Sequence, residues 1–173
     1  RHKTTHIRRC TMAFNGNFMC TTFKQGLLNG DFDFSSGTSH VFKIALYTNS
    51  AVPTDFGGTG TDMDASVEFY ATNNEVAATG SGDNPYVAGG GTLVISTVPA
   101  TSGTTAYLSF STETFTNATI TARGAIIYRS DGSAPTNDAC VVLDFGADKT
   151  STSGDFTITF PTADASNAII RVG

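Results

Sequence analysis

Histidines, cysteines and clustered carboxylates carry most enzymatic and metal chemistry, and this chain spreads them thinly. Its histidines are His2, His6 and His40. A catalytic pair built on His40 needs a nucleophile on a strained turn, and no G-x-S-x-G elbow occurs. His40 reads instead as a structural residue where a strand begins. Asp55, Asp62 and Asp64 resemble a weak acidic cation loop, because hard cations take several oxygen ligands. The full calcium-loop pattern is missing, so a solvated loop is expected. Asp144, Asp148 and Asp155 flank residues 146–154, a stretch expected to be a connection in which Asp and Ser bond their own backbone. Paired carboxylates can cleave glycosidic bonds, but these lie in expected loops without aromatic subsites, and Trp is absent. Cys10, Cys20 and Cys140 lack metal-ligand spacing, and an odd count cannot close a complete disulfide set within one chain. Cys140, inside an apolar run, reads as a small buried hydrophobe. Gly89, Gly90 and Gly91 are followed by no Lys-Ser/Thr, so they read as a flexible turn and not as a phosphate loop. Tyr47, Tyr70, Tyr86, Tyr107 and Tyr128 could stack on sugar, yet tyrosines in strands usually pack in the core or across strands. No catalytic residue, metal or cofactor is expected, and no enzyme.

The elements that would position these groups follow from composition and period. The chain has 173 residues, 39% hydrophobic and only 14% charged, against about a quarter charged in an ordinary soluble domain. Thr, Ser, Asn, Gly and Ala fill the difference. Thr suits a pleated surface, while Gly, Asn and Ser suit tight turns. One helix is predicted, at Thr21–Asn29. Thr21 or Thr22 would cap it, Phe23 and Leu27 share a face, and Gly30 stands where a helix C-terminus favours glycine. Beyond it the period is two. Strands are predicted at residues 41–47, 67–70, 93–98, 106–110, 119–128, 139–145, 156–160 and 168–172. In the fifth, Ile120, Ala122, Ile126 and Tyr128 point inward and Thr119, Thr121 and Arg123 outward. Short strands separated by Gly-, Pro- and Ser-rich turns imply an all-β fold, an antiparallel two-sheet sandwich or jelly roll with one short N-terminal helix. No linker or internal repeat divides the body, so residues 25–173 read as one domain preceded by an arm at 1–24. Residues 49–64 and 72–91 are long loops, where partner contacts concentrate.

Charge separates arm from body. Residues 1–24 hold Arg1, Lys3, Arg8, Arg9 and Lys24 and no acid; the remainder holds five Lys or Arg against 15 Asp and Glu, a net of −10. An acidic body argues against nucleic acid, whose phosphates need clustered Lys or Arg. Residues 1–11 precede Met12, show no apolar period and read as an added or disordered leader without the apolar stretch of a secretory signal. No apolar run approaches the roughly 20 residues that cross a bilayer as a helix, so no membrane partner is expected. Arg123, a charge inside an apolar and Thr-rich run, is expected either to face solvent or to cross a subunit interface to a carboxylate. With Arg8, Arg9 and Lys24 it forms the candidate contact set for a partner surface or a sister subunit.

Four stretches together resemble a known family: TFKQGLLN at 22–29, VFKIALYT at 41–48, TITARGAIIY at 119–128, and residues 142–171 with VLDFGADKTSTSGDFTITFP and NAIIR. They are similar to small structural proteins of tailed-phage virions, over most of residues 22–173. TNNEV at 72–76 and the Gly-rich connection after Tyr86 fit the same pattern. The resemblance implies a capsid cement or decoration protein, made in the host cytoplasm and residing on the capsid surface. Its implied partners are the major capsid protein and further copies of itself, with a trimer favoured by lattice symmetry and by the two-sided apolar strand at 41–47. A tail or neck component is the nearest alternative, followed by a host-glycan-binding module.

Overall fold

The computed structural model describes residues 13–132 and 137–173. Among them lie β1 (Phe18–Met19), α1 (Thr21–Asn29), β2 (Phe42–Tyr47), β3 (Gly91–Leu93), β4 (Ile95–Ser102), β5 (Thr105–Phe110), β6 (Glu113–Arg129), β7 (Ala139–Ile158) and β8 (Ile170–Val172). These strands form two antiparallel sheets, ordered β1-β7-β6-β2-β3 and β4-β5-β8. The fold is all-β with one short helix, as the period-two alternation implies.

Helix α1 has the predicted bounds, and its end has the predicted cause. Gly30 adopts φ 78°, and its N–H reaches back to the Gly26 and Leu27 carbonyls; glycine enters this left-handed region without a Cβ penalty. Its start differs. Cys20, not Thr21 or Thr22, occupies the cap position and makes no side-chain cap bond. The helix is held there by packing instead: Phe23 is fully buried and meets Phe32 edge-on at 4.8 Å. Such pairs contribute about 0.5–1.5 kcal/mol beyond area burial.

The long hairpin of β6 and β7 is the frame of the larger sheet. Its base, Gly124–Tyr128 against Ala139–Asp144, is in the sheet interior, and residues 122–129 are buried without alternation. Both faces are covered there, so a period of two is lost. The distal half alternates as predicted, with Phe156 and Ile158 buried and Thr157 and Thr159 exposed. The expected connection at 146–154 is not a loop. β7 runs unbroken from Ala139 to Ile158, and bulges between Ala122 and Gly124 and between Ala118 and Ile120 absorb the additional residues. Bulges accommodate unpaired residues without ending a strand.

Three further expectations change. Residues 93–98 split between β3 and β4, which belong to different sheets. Residues 67–70 make only an isolated bridge, Phe69 with Asp138. Strand β2 lies between β3 and β6 and is covered by its own chain, so its two apolar faces carry no argument for a trimer. The sheets meet through aromatic contacts: Phe34 stacks on Phe42 of β2 at 4.4 Å, and Phe110 of β5 lies 6.0 Å from Phe42.

Candidate functional site

The feature most suited to a partner is an apolar groove of about 490 Å³ between α1, the 32–36 segment and the smaller sheet. Leu27, Phe34, Val98, Tyr107, Ile170 and Val172 contribute to its walls. Its floor is packed, with Ile170 3% exposed, but its rim is open: Val98 is 43% and Val172 52% exposed. Leu28, beside Leu27 in the chain, is 91% exposed. Apolar side chains cost about 25 cal/mol for each Å² left in water, so a cluster of them marks a contact surface more strongly than any one alone. The smaller sheet explains why they gather here. Strand β4 is an edge strand with most residues exposed, and β8 is a three-residue edge on the other side. Open edges of this kind are where a sheet accepts further chain.

The residues singled out from the sequence do not converge. Arg8 and Arg9, with the rest of the leader, lie outside the described residues. Lys24 is exposed on α1, and the four-residue spacing places it on the same outer face as Leu28. Arg123 overturns its expectation. It is 6% exposed, and its carboxylate partner is Asp144 of the same chain at 3.3 Å. The bulge between Ala122 and Gly124 breaks the alternation that pointed it outward. Asp144 also accepts the Gly16 and Gly146 N–H groups, at 3.2 and 2.8 Å. The ion pair lies within the central hairpin, and the Gly16 bond to Asp144 ties the N-terminal segment to it.

The other candidates serve local structure. The His40 Nδ1 accepts the Asp33 N–H at 2.9 Å, closing a turn ahead of β2. Hydrogen bonds from Ser35 hold the exposed Asp33 carboxyl below its ordinary range. Asp55 accepts from Asn74 at 2.9 Å, and Asp64 from the Ser66 N–H at 2.7 Å. Asp155 accepts the Asn117 N–H at 3.2 Å. Among the described residues, no three His, Cys, Asp or Glu side chains are grouped to hold a metal.

Two polar centres were not legible in the sequence. The first is Arg129, 1% exposed. Its Nε meets Asp131 at 2.7 Å, its Nη1 donates to the Asp31 carbonyl at 2.5 Å, and its guanidinium lies 5.8 Å from the Phe32 ring centroid. The only local signal is an Asp two residues on.

The second is Glu75, which accepts hydrogen bonds from the Tyr70 hydroxyl, the Tyr86 hydroxyl and the Gly89 N–H, each at 2.8 Å. Tyr86 in turn accepts the Leu46 N–H at 2.8 Å, and Tyr128 donates to the Gly89 carbonyl at 2.8 Å. Tyr70 stacks on Tyr128 at 4.4 Å. The three glycines are therefore part of a packed structure and not a flexible turn. Gly90, at φ 73°, lies so close to β2 that a Cβ would sit 1.8 Å from the Ile44 carbonyl oxygen. Burial raises the Tyr128 hydroxyl to about 12, and burial with the Glu75 charge raises Tyr47, Tyr70 and Tyr86 further. Tyr47, Tyr70, Tyr86 and Tyr128 thus hold the fold together and offer no sugar platform.

Compared with protein-family models, with curated proteins and with solved structures, the chain matches none.

Proposed function

We propose that the protein is a structural component of a tailed-phage virion, a decoration protein that binds the assembled shell and stabilises it. The observation that carries the reading is the open apolar groove, rimmed by Val98 and Val172, with exposed Leu28 beside Leu27 on the adjoining helix. The resemblance read from the sequence, over most of residues 22–173, is in keeping with it. The partner is then the major capsid protein as it stands in the lattice, and the place of action is the capsid surface. Lys24, exposed on the outer face of α1 with Leu28, is the basic residue best placed to assist. Arg123 is withdrawn from the contact set by its burial.

A ligand that binds the assembled shell and not its separated subunits stabilises the shell by linkage, about 2.7 kcal/mol per site at about 100 times the Kd. Many sites per shell make the total large. Filled capsids stripped of the protein should release DNA at a lower temperature than decorated ones, and adding it back should restore the higher value. The double variant Leu28→Asp, Val98→Asp should fold yet fail to bind or restore. Equal release temperatures with and without the protein refute the decoration reading, and a tail or neck location then takes precedence.

A further inference from the structure

Strand β1 is only two residues long, yet its register with β7 continues one position beyond it. Phe18 faces Val142 and Met19 faces Val141. At the next step the Cys20 N–H donates to the Cys140 carbonyl at 2.9 Å. Cys20 is still extended, with φ −63° and ψ 146°, before the chain turns into α1. Residues 20 and 140 are therefore opposite each other at the end of the ladder, joined by this one bond, while the Cys20 carbonyl accepts the Lys24 N–H at 3.1 Å as the helix begins. Cα atoms in such a pair are about 5.5 Å apart and their side chains share one face. A disulfide spans Cα separations of about 4.4–6.8 Å. Both residues are free thiols with no solvent exposure.

We infer that Cys20 and Cys140 form a disulfide site, a cross-strand bond joining the N-terminal strand and helix to the central hairpin. The oxidant is a small-molecule disulfide such as oxidised glutathione. One protein thiolate attacks it, forming a mixed disulfide and displacing one small thiolate. The second protein thiolate then attacks the protein sulfur of that mixed disulfide and expels the second small thiolate. Two protons leave the protein thiols and end on the two released thiols, so the protein loses what the small disulfide gains. This inference is independent of the virion reading.

Burial decides when the reaction occurs. It raises the Cys20 thiol to about 12 and Cys140 well above its ordinary range, and only the thiolate attacks. The native reduced protein is therefore slow to oxidise. Oxidation takes place during folding, or when β1 opens, which a two-residue edge strand does more readily than the sheet interior. Once formed, the bond is shielded from reductants by the same burial.

The test unfolds the full chain, refolds it in a mixture of oxidised and reduced glutathione, alkylates free thiols and maps chymotryptic peptides by mass spectrometry. The expected product is a Cys20–Cys140 linked peptide, lighter by two hydrogens than the sum of its parts. The bond closes a loop from residue 20 to residue 140, so the melting temperature should rise by about 10–20 °C over the reduced protein. The rise should be absent in Cys20→Ser and in Cys140→Ala. Alkylated Cys20 and Cys140 after refolding, a linkage through Cys10 instead, or a linked pair with no rise in melting temperature would each overturn the inference.

Discussion

Replacing Glu75 by alanine tests whether one carboxylate organises the glycine turn and the tyrosines around it. Glu75 accepts three hydrogen bonds, each 2.8 Å long, from Tyr70, Tyr86 and the Gly89 N–H. Bonds to a charged acceptor contribute about 1.5–3 kcal/mol each, but the three losses are unequal. Tyr70 is only partly buried, so water replaces its bond at little cost. The buried Tyr86 hydroxyl can turn its proton to the Leu46 carbonyl, 3.4 Å away. The Gly89 N–H is buried beside Gly90 and loses its acceptor, at about 1–3 kcal/mol. With about 1 kcal/mol for weakening the Tyr86 bond added to the Gly89 loss, the expected total for Glu75→Ala is about 2–4 kcal/mol. Glu75→Gln keeps an oxygen for Tyr86 and Gly89 and presents its amide to Tyr70, whose hydroxyl can accept, so its loss should be about 1 kcal/mol. Urea titration followed by circular dichroism measures both, with the midpoint moving at constant slope. A double-mutant cycle with Tyr86→Phe should return a coupling of about 1–2 kcal/mol. A loss under about 1 kcal/mol for the alanine variant, or equal losses for alanine and glutamine, would refute the hub.

Gly90→Ala should abolish soluble folding, because its Cβ would lie 1.8 Å from the Ile44 carbonyl oxygen of an interior strand. Gly103→Ala, also at positive φ but with nothing within 4 Å, should cost only about 1–2 kcal/mol; equal expression and melting of the two variants would contradict the packing argument. Alkaline stability follows from the tyrosines. Their unfolded value is about 10, whereas Tyr128 is raised to about 12 in the fold and Tyr47, Tyr70 and Tyr86 higher. A raised value means the fold favours the neutral hydroxyl, so stability is intact below pH 10 and falls as pH rises through 12. In a Tyr107→Phe background, tyrosinate absorbance and loss of β circular dichroism should therefore appear together above pH 10, and ionisation of the four remaining tyrosines near 10 with the sheet intact would disprove the linkage.

Local signals in the sequence determined what depends on neighbours. The helix and its Gly30 end are legible because a four-residue apolar spacing and a left-handed glycine act within a few residues, whereas its start, where no side chain caps it, is set by the packing of Phe23. The strands at the distal hairpin were legible because one face of Phe156–Ile158 meets the core and the other meets water. Where both faces are covered, as at residues 122–129, alternation vanishes, and a period of two puts Arg123 on the wrong side. The continuity of β7 was hidden because Gly, Asp and Ser signal a turn in an isolated chain, while pairing with β6 and its bulges holds the same residues extended. Long-range placement decided the rest. Glu75 and Gly89 meet along one edge of β2, Arg129 finds Asp31 nearly a hundred positions away, and Cys20 faces Cys140 only through the register of β1 on β7. Separation along the chain carries no imprint in residue type, because each partner satisfies the other only after the sheets have closed. The apolar groove belongs to this second class: Leu27, Val98 and Val172 are ordinary core letters in the sequence, and only the open side of the smaller sheet leaves Val98 and Val172 facing water.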